Sequence, residues 1–357
     1  MGAVTTWAFD GIELPFGNAP HQRWISESGS VHHRPVPDAE ALPGRYLLAG
    51  LADAHAHPAV GPSPSGPVAL DKAAALDTLR AWARSGITLV RDAGSPRGVT
   101  LELEREGQLP VLHAAGRFLA PPDRYFPQLL GDPVPGSDLV SCGLAELGRG
   151  ATWVKVIADF PDLAAGAGTG TGTEPTYPIE LIAELTAAVH QAGGRVAAHT
   201  TTARAAELVA VGVDSIEHGT ELDEAAIREM AARGTAWTPT LCGVLAALDN
   251  PGLPTEERRY VEGARERLLA LLPLAVSLGV PVLAGTDAEG SIPQEVALLA
   301  RLGLQPAEAL AAASTWPRQY LGAAATSDIV TYHHDPRDDP DELTRPAAVI
   351  VGGTRLI

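Results

Sequence analysis

Cysteines, aromatic residues and basic residues are all scarce in this sequence. The two cysteines, Cys142 and Cys242, stand far apart without a CxxC spacing, which excludes a disulfide framework and a zinc or redox site of paired cysteines. The 26 Lys and Arg residues are outnumbered by 43 Asp and Glu, and the formal net charge is -17. This charge would repel phosphates and anionic lipids, so we expect neither nucleic acid nor a membrane as a partner.

Long apolar runs are absent as well. No run of about 18 apolar residues, the length that spans a bilayer as a helix, occurs in the sequence. Residues 1–20 hold no basic residue ahead of an apolar stretch, as a secretory signal would. With 357 residues, 45% of them hydrophobic, the chain can bury a large core. We therefore expect a cytoplasmic α/β protein, and a homo-oligomer stays open.

From Tyr46 onward, apolar strand patterns alternate with helical patterns of period 3.6. The predicted strands cover residues 46–52, 87–91, 110–115, 152–158, 195–198, 213–216, 236–240 and 281–284. The predicted helices cover residues 68–84, 178–192, 203–211, 223–233, 255–278 and 293–302. Eight such strands favour a (β/α)8 TIM barrel, with an open doubly wound sheet as the alternative.

Both chain ends depart from this alternation. Residues 1–45 carry short strand patterns among Pro, Gly and polar residues, and residues 323–357 hold two more around an acidic turn. We predict that both ends form one small β-sandwich domain beside a catalytic barrel over residues 46–322. The histidines in these ends have no ligand spacing and are expected at the surface: His21, His32, His33, His333 and His334.

Polar residues that can bind metal follow several of the predicted strands. His55 and His57 stand two positions apart in LLAGLADAHAHP, so on an extended chain their side chains point the same way. The others lie on or just after later strands: Lys155, His199, His218 and Asp287. In a TIM barrel these strand ends share one rim, where the sequence therefore predicts a metal site.

The same series resembles the metal-dependent amidohydrolase superfamily, most closely its imidazolonepropionase-like and Xaa-Pro dipeptidase (prolidase) branch. The motifs that carry the resemblance are LLAGLADAHAHP, GITLVRDAGS, WVKVIAD, AAHTTT, GVDSIEHGTELDE, TPTL, VPVLAGTDA, EVALLARLGLQPAEALAAAST, SDIV and IVGG. The resemblance implies a (β/α)8 barrel with a β-sandwich from both termini, which agrees with the pattern above.

The resemblance also implies roles for the six residues. His55, His57 and Asp287 resemble ligands of a more buried metal ion, and His199 and His218 those of a second. Lys155 resembles the lysine that takes up carbon dioxide to form a bridging carbamate. The cofactor expected is Zn²⁺, one or two ions, which would ionise water at neutral pH while Asp287 moves the proton and His199 or His218 steadies the oxyanion.

Other roles for these residues stay open at this point. Lys155 alternatively pairs with Asp159 or Asp287, and Asp287 alternatively caps the following helix. His199 and His218 are alternatively core histidines with satisfied hydrogen bonds.

The substrate is less well defined by the sequence. The family's Gly-Gly-His element after the third strand is missing, and Arg117, Tyr125 and Phe126 stand nearby. Arg117 is a candidate clamp for a carboxylate, and Tyr125 and Tyr177 are further candidate substrate contacts. The Gly- and Thr-rich residues 164–177 suggest either a lid or a surface loop.

We expect hydrolysis of an amide or peptide bond in a small molecule, by a dipeptidase, carboxypeptidase or N-acyl amino acid hydrolase. The alternatives are a mononuclear deaminase or cyclic amidase, a lactonase or phosphotriesterase, and a metal-binding scaffold without turnover.

Overall fold

The computed structural model describes residues 6–26, 30–63, 66–103, 107–164, 173–288, 290–323 and 328–357. The strands are β1 (Trp7–Glu13), β2 (Pro20–Ile25), β3 (Val31–His32), β4 (Glu40–Ala41), β5 (Tyr46–Ala49), β6 (Leu51–Ala56), β7 (Val60–Gly61), β8 (Val68–Ala69), β9 (Ile87–Asp92), β10 (Val111–Ala114), β11 (Phe118–Leu119), β12 (Trp153–Ile157), β13 (Asp159–Phe160), β14 (Glu174–Pro175), β15 (Arg195–Thr200), β16 (Ser215–His218), β17 (Ala236–Thr238), β18 (Ile329–Tyr332), β19 (Ala348–Val351) and β20 (Thr354–Arg355).

The α-helices are α1 (Lys72–Arg84), α2 (Pro127–Leu130), α3 (Leu139–Gly148), α4 (Ile179–Gln191), α5 (Ala205–Ala210), α6 (Glu224–Arg233), α7 (Leu241–Ala246), α8 (Thr255–Ser277), α9 (Ile292–Arg301), α10 (Pro306–Ala312) and α11 (Thr315–Leu321). Short 3-10 helices cover Pro96–Glu102, Gly136–Asp138, Ala247–Asp249 and Pro340–Thr344. Within the described ranges, no helix is both long and apolar enough to cross a membrane.

The central strands pair in parallel. β6, β9 and β10 form one sheet, and β11, β12, β15, β16 and β17 form another. The N–H of Thr152, directly before β12, donates to the carbonyl of Ala114 in β10 (3.0 Å). Residues 283 and 284 connect β17 of the second sheet to β6 of the first. The N–H of Leu283 donates to the carbonyl of Trp237 (2.8 Å), and the N–H of Ala54 donates to the carbonyl of Ala284 (2.8 Å). The chain therefore has a TIM-barrel-like α/β fold.

A separate eight-stranded sheet joins both chain ends. Its order is β20-β19-β18-β5-β1-β2-β3, with β4 paired to β1. The first predicted barrel strand, residues 46–52, is in fact two strands: β5 pairs antiparallel with β18, and only β6 pairs with β9. One face of this terminal sheet has its own apolar core, which includes Trp7, Phe9, Ile329 and Ile350.

Local capping explains where several helices begin. Helix α1 starts at Lys72, not at the predicted residue 68, because the Asp71 side chain accepts the N–H of Ala74 (2.9 Å). Helix α6 is capped in the same way by Asp223 and ends at Gly234, which has a φ of 73°. Helices α4, α6, α8 and α9 begin and end within about two residues of their predicted bounds.

Candidate metal centre

The structure places Lys155 in the middle of β12 and the other five predicted residues near or just after the carboxyl ends of the parallel strands. His55 lies in β6, Lys155 in β12, His199 in β15 and His218 in β16, while Asp287 bridges to Ala56 beside β6. We call these residues, with His57, the strand-end site.

The imidazole rings of this site are close together. The His55 ring centroid is 5.2 Å from that of His57 and 5.2 Å from that of His218. The rings of His199 and His218 are 4.5 Å apart. Asp287 Oδ1 lies 3.3 Å from His57 Nε2 and 4.0 Å from His55 Nε2. One carboxylate thus faces two imidazole nitrogens.

Hydrogen bonds fix the protonation of the first two histidines. His55 Nδ1 contacts the buried carboxylate of Glu217, and His57 Nδ1 lies 2.7 Å from the carbonyl oxygen of Gly94. A carboxylate and a carbonyl only accept, so in each neutral ring the proton lies on Nδ1. In that neutral form each Nε2 carries a lone pair on the side of Asp287, which is the arrangement of a metal-binding histidine. Burial lowers the pKa of His57, but the contact with the Asp287 carboxylate raises it above its ordinary value.

In His218, Nδ1 is also engaged in a hydrogen bond, here with a hydroxyl group. Its Nδ1 lies 2.6 Å from Thr240 Oγ1, and that hydroxyl donates to the carbonyl of Pro239 (2.8 Å). Because the hydroxyl proton is already used, Nδ1 of His218 must be the donor. Nε2 of His218 is therefore also free to bind a cation, and one donor atom each from His55, His218 and Asp287 lies within 4.8 Å of the others.

His199 has a different environment. It is half-buried, and its ring packs against those of His218 and Phe160, the latter 5.9 Å away. Burial, with the charges of His218 and Lys155, holds the pKa of His199 well below its ordinary value. A neutral imidazole is the form that binds metal.

Lys155 is almost completely buried, with 1% of its surface exposed. Among the described residues its Nζ has no hydrogen-bond partner. Burial lowers the pKa of Lys155 to about 8, although Glu217 and Asp287 oppose the shift. An unpartnered buried ammonium is costly, and conversion to an anionic carbamate between two cations would remove that cost.

The structure pairs Lys155 with no oxygen of Asp159, and Asp287 does not cap helix α9. The carboxylate of Asp159 accepts hydrogen bonds from the threonines that follow His199, among them Thr202 Oγ1 at 2.8 Å, and not from Lys155. The cap of helix α9 is Ser291, so Asp287 is not the cap of that helix.

Asp287 is held in a strained conformation by its surroundings. Its φ is 57°, in the left-handed region, and its N–H donates to His55 O (2.7 Å). Asp53 accepts the N–H groups of His55 (3.2 Å) and Thr286 (3.1 Å), which ties the two segments together. Position 285 must be glycine, because a Cβ there would lie 2.5 Å from the Cβ of His55. Burial would raise the pKa of Asp287, but the neighbouring histidines hold it well below its ordinary value.

Glu217 is a site residue that the sequence did not predict. It is fully buried, and Arg91 Nη2 donates to both of its oxygens (2.7 and 2.8 Å). Burial would raise the pKa of Glu217, but Arg91 and His55 hold it well below its ordinary value. Neighbouring strand residues normally face opposite sides. The φ of 66° at His218 turns that side chain back, and both reach the site. The signal that could have identified Glu217 from the sequence is a charged residue inside an otherwise apolar strand.

The three predicted substrate contacts are placed differently from one another. Tyr125 is buried beside the site, with its ring centroid 6.4 Å from that of His199. Arg117 instead pairs with Glu146 of α3 (3.0 Å). The Tyr177 hydroxyl donates to the Val134 carbonyl (2.7 Å) within the core. The contacts of Arg117 and Tyr177 give no support to a substrate role. Of the predicted lid, residues 164–177, the part 165–172 lies outside the described residues.

The fold and this cluster define an α/β protein with a histidine and carboxylate centre at the ends of its parallel strands. The amidohydrolase family matches residues 46–327, and the chain belongs to that family. The predicted resemblance to the amidohydrolase superfamily is therefore confirmed, and the chain is a hydrolase of this superfamily.

Individual proteins match over nearly the whole chain. Uncharacterized proteins of Mycobacterium tuberculosis and Mycobacterium bovis are 36% identical over 363 aligned residues, with 96% of this chain and 94% of theirs covered. A solved amidohydrolase structure is 25% identical with a TM-score of 0.78, covering 99% of both chains. A Xaa-Pro dipeptidase with methionine in its active site is 20% identical with a TM-score of 0.79, covering 98% of this chain and 99% of that one, and shares the fold.

Proposed function

We propose that this chain is a metal-dependent amidohydrolase that breaks the C–N bond of an amide or peptide with water. The observation that carries the proposal is the common orientation of His55, His57 and His218. In each ring Nδ1 is engaged by an acceptor, which leaves Nε2 for a cation beside the carboxylate of Asp287.

The fold that we infer for this enzyme is a closed (β/α)8 barrel over residues 46–322. The hydrogen bonds of Leu283 and Ala54 support closure between the last strand and the first. We infer that residues 1–45 and 323–357 form a β-sandwich, which the sheet built from both chain ends supports. A cytoplasmic location remains part of the proposal.

We infer that the site holds two divalent ions, for which Zn²⁺ suits the imidazole-rich donor set. His55, His57 and Asp287 would hold one ion, and His199 and His218 the other. Lys155 would bridge them as a carbamate: its neutral amine forms an N–C bond with carbon dioxide and releases a proton. When bound, the metal would make water acidic near neutral pH and polarise the scissile carbonyl.

The chain's own groups complete the reaction. Asp287, whose depressed pKa keeps it ionised, accepts a proton from the attacking water and delivers it to the leaving nitrogen. His199 or His218 steadies the negative oxygen that develops on the carbonyl. Glu217 keeps His55 in the correct tautomer and orientation.

A second candidate is a mononuclear deaminase or cyclic amidase of the same superfamily. The donor atoms of His55, His218 and Asp287 lie within 4.8 Å of one another, which would suit a single ion. With a single ion bound, Lys155 would stay unmodified. The amount of metal bound separates the two proposals.

The test uses the two lysines of the sequence, Lys155 and the exposed Lys72. Chelator-treated protein is reloaded with Zn²⁺ and ¹³C-labelled bicarbonate, and metal content and the ¹³C spectrum are measured. We expect two equivalents of zinc and one carbamate signal, both lost in Lys155→Ala and kept in Lys72→Ala. Turnover is followed on N-acyl amino acids, Xaa-Pro and Xaa-Arg dipeptides, lactones and cyclic amides. Undiminished turnover in Lys155→Ala would overturn the binuclear proposal, and failure to bind zinc would overturn both.

A further inference from the structure

Four aromatic rings form one continuous surface beside the strand-end site. We call Phe118, Tyr125, Phe126 and Phe160 the aromatic wall. Tyr125 is its centre, with ring centroids 4.8 Å from Phe118, 5.2 Å from Phe126 and 5.2 Å from Phe160. Phe126 and Phe160 are 5.3 Å apart. The pair of Phe118 and Tyr125 is tilted, and the other three pairs have the edge-to-face geometry that aromatic rings favour.

The aromatic wall reaches both halves of the proposed metal centre. The ring of Phe118 is 5.5 Å from that of His57, and the ring of Phe160 is 5.9 Å from that of His199. Phe126 is 37% exposed, so the outer end of the wall meets solvent. A ligand that binds between Phe126 and the site would therefore contact aromatic rings.

Two arginines that are chain neighbours of wall residues are already paired. Arg117 forms its ion pair with Glu146 (3.0 Å). Arg124 lies 3.3 Å from both Asp162 and Glu174. Arg124 is thus matched by two acidic groups, and neither arginine is left free to receive a carboxylate. The environment favours a neutral group over an anionic one.

We propose that the substrate of this site is an uncharged amide that carries an aromatic ring, and not a free dipeptide with a terminal carboxylate. The proposal rests on the proposed hydrolase function. The ring would stack on the aromatic wall while the amide carbonyl reaches the histidines. A carboxylate on the aromatic wall would lose its hydration, and Arg117 and Arg124 are already paired with acidic groups.

The first experiment compares three amides on the zinc-loaded enzyme. Phenylacetanilide carries uncharged rings, 4-(phenylacetamido)benzoate adds a carboxylate to the same skeleton, and N-methylacetamide has no ring. We expect kcat/KM to be at least about tenfold higher for phenylacetanilide than for either of the others. A carboxylate compound or a free dipeptide that reacts as fast would overturn the proposal.

The second experiment changes the wall itself. Phe126→Ala removes its most exposed ring, and Phe160→Leu replaces the ring next to His199 with an aliphatic group. Each should lower kcat/KM for phenylacetanilide about tenfold, and by a larger factor than kcat/KM for N-methylacetamide. The matched control is Phe16→Ala, which removes a 56% exposed ring near the chain start and should change nothing. Equal turnover in all variants would contradict a recognition role for the wall.

Binding separates this inference from the hydrolase proposal. The dissociation constants of phenylacetanilide and its carboxylate analogue are measured by calorimetry on Asp287→Asn, where we expect slow turnover. If the uncharged ring binds tighter and no amide is ever cleaved by the zinc-loaded enzyme, the preference of the aromatic wall for an uncharged ring stands and the hydrolase proposal fails. If amides are cleaved without preference for an uncharged ring, the hydrolase proposal stands and the inference fails.

Discussion

The strand-end site and the terminal region (residues 6–26, 30–49 and 328–357) use the same residue types in opposite ways. His55 and His57 are buried and have fixed Nδ1 partners, whereas His32 and His333 are exposed. Both regions also hold an aspartate with positive φ, a buried glutamate and a buried threonine. Residue type alone therefore does not define a site. A site is defined by burial together with a hydrogen-bond partner that fixes the proton of the imidazole ring, because these two factors set the geometry and basicity of the ligand.

The aspartates should give the largest contrast. Asn tolerates the left-handed backbone as Asp does, so Asp287→Asn and Asp38→Asn should both fold, at φ values of 57° and 60°. Asp287→Asn removes the proposed ligand and proton carrier and should lower kcat about a thousandfold. Steady-state kinetics and metal analysis provide the measurement. Asp38→Asn, in an exposed loop, should match the wild type, and equal losses in both variants would break the comparison.

The buried glutamates should give a smaller contrast. Glu217→Gln weakens the contacts to Arg91 and His55, and we expect zinc affinity or turnover to fall by about 10- to 100-fold. Zinc titration and kcat/KM measure this effect. Glu342→Gln affects only contacts of the terminal region, to the His334 N–H (3.0 Å) and Arg345 (3.3 Å). That variant should change thermal stability but not zinc affinity, so a loss of zinc affinity there would count against the positioning role of Glu217.

The threonines should give the smallest contrast: one substitution should weaken zinc binding, and the other should raise stability. Thr240→Val removes the acceptor of His218 Nδ1 and should weaken zinc binding roughly fivefold. Thr331→Val, in β18, removes a buried hydroxyl that has no hydrogen-bond partner among the described residues. It should raise the free energy of unfolding by about 1 kcal/mol. Calorimetric zinc titration and thermal melts test the pair, and a destabilised Thr331→Val variant would show that the hydroxyl is useful where it stands.

Much of the architecture follows from local pattern. Apolar periodicity places six of the predicted strands on observed ones, since buried parallel strands are continuous apolar runs. Helix α3 was missed because Ser141, Gly143 and Gly148 give it a weak local preference. Residues 281–284 were predicted as a strand, and Val282 makes only an isolated bridge there. The division of residues 46–52 between two sheets was also missed, because pairing with β18 is a long-range choice.

The sequence by itself determined most of the strand and helix order and the six polar residues on or after the strands, because periodicity and spacing are local properties. Only the tertiary structure decided that Glu217 and Arg91 support His55, that Arg117 and Tyr177 are used elsewhere, and that four aromatic rings adjoin the site. The physical reason is that these contacts join residues distant in sequence, and the left-handed turn at His218 overrides the alternation on which strand analysis depends.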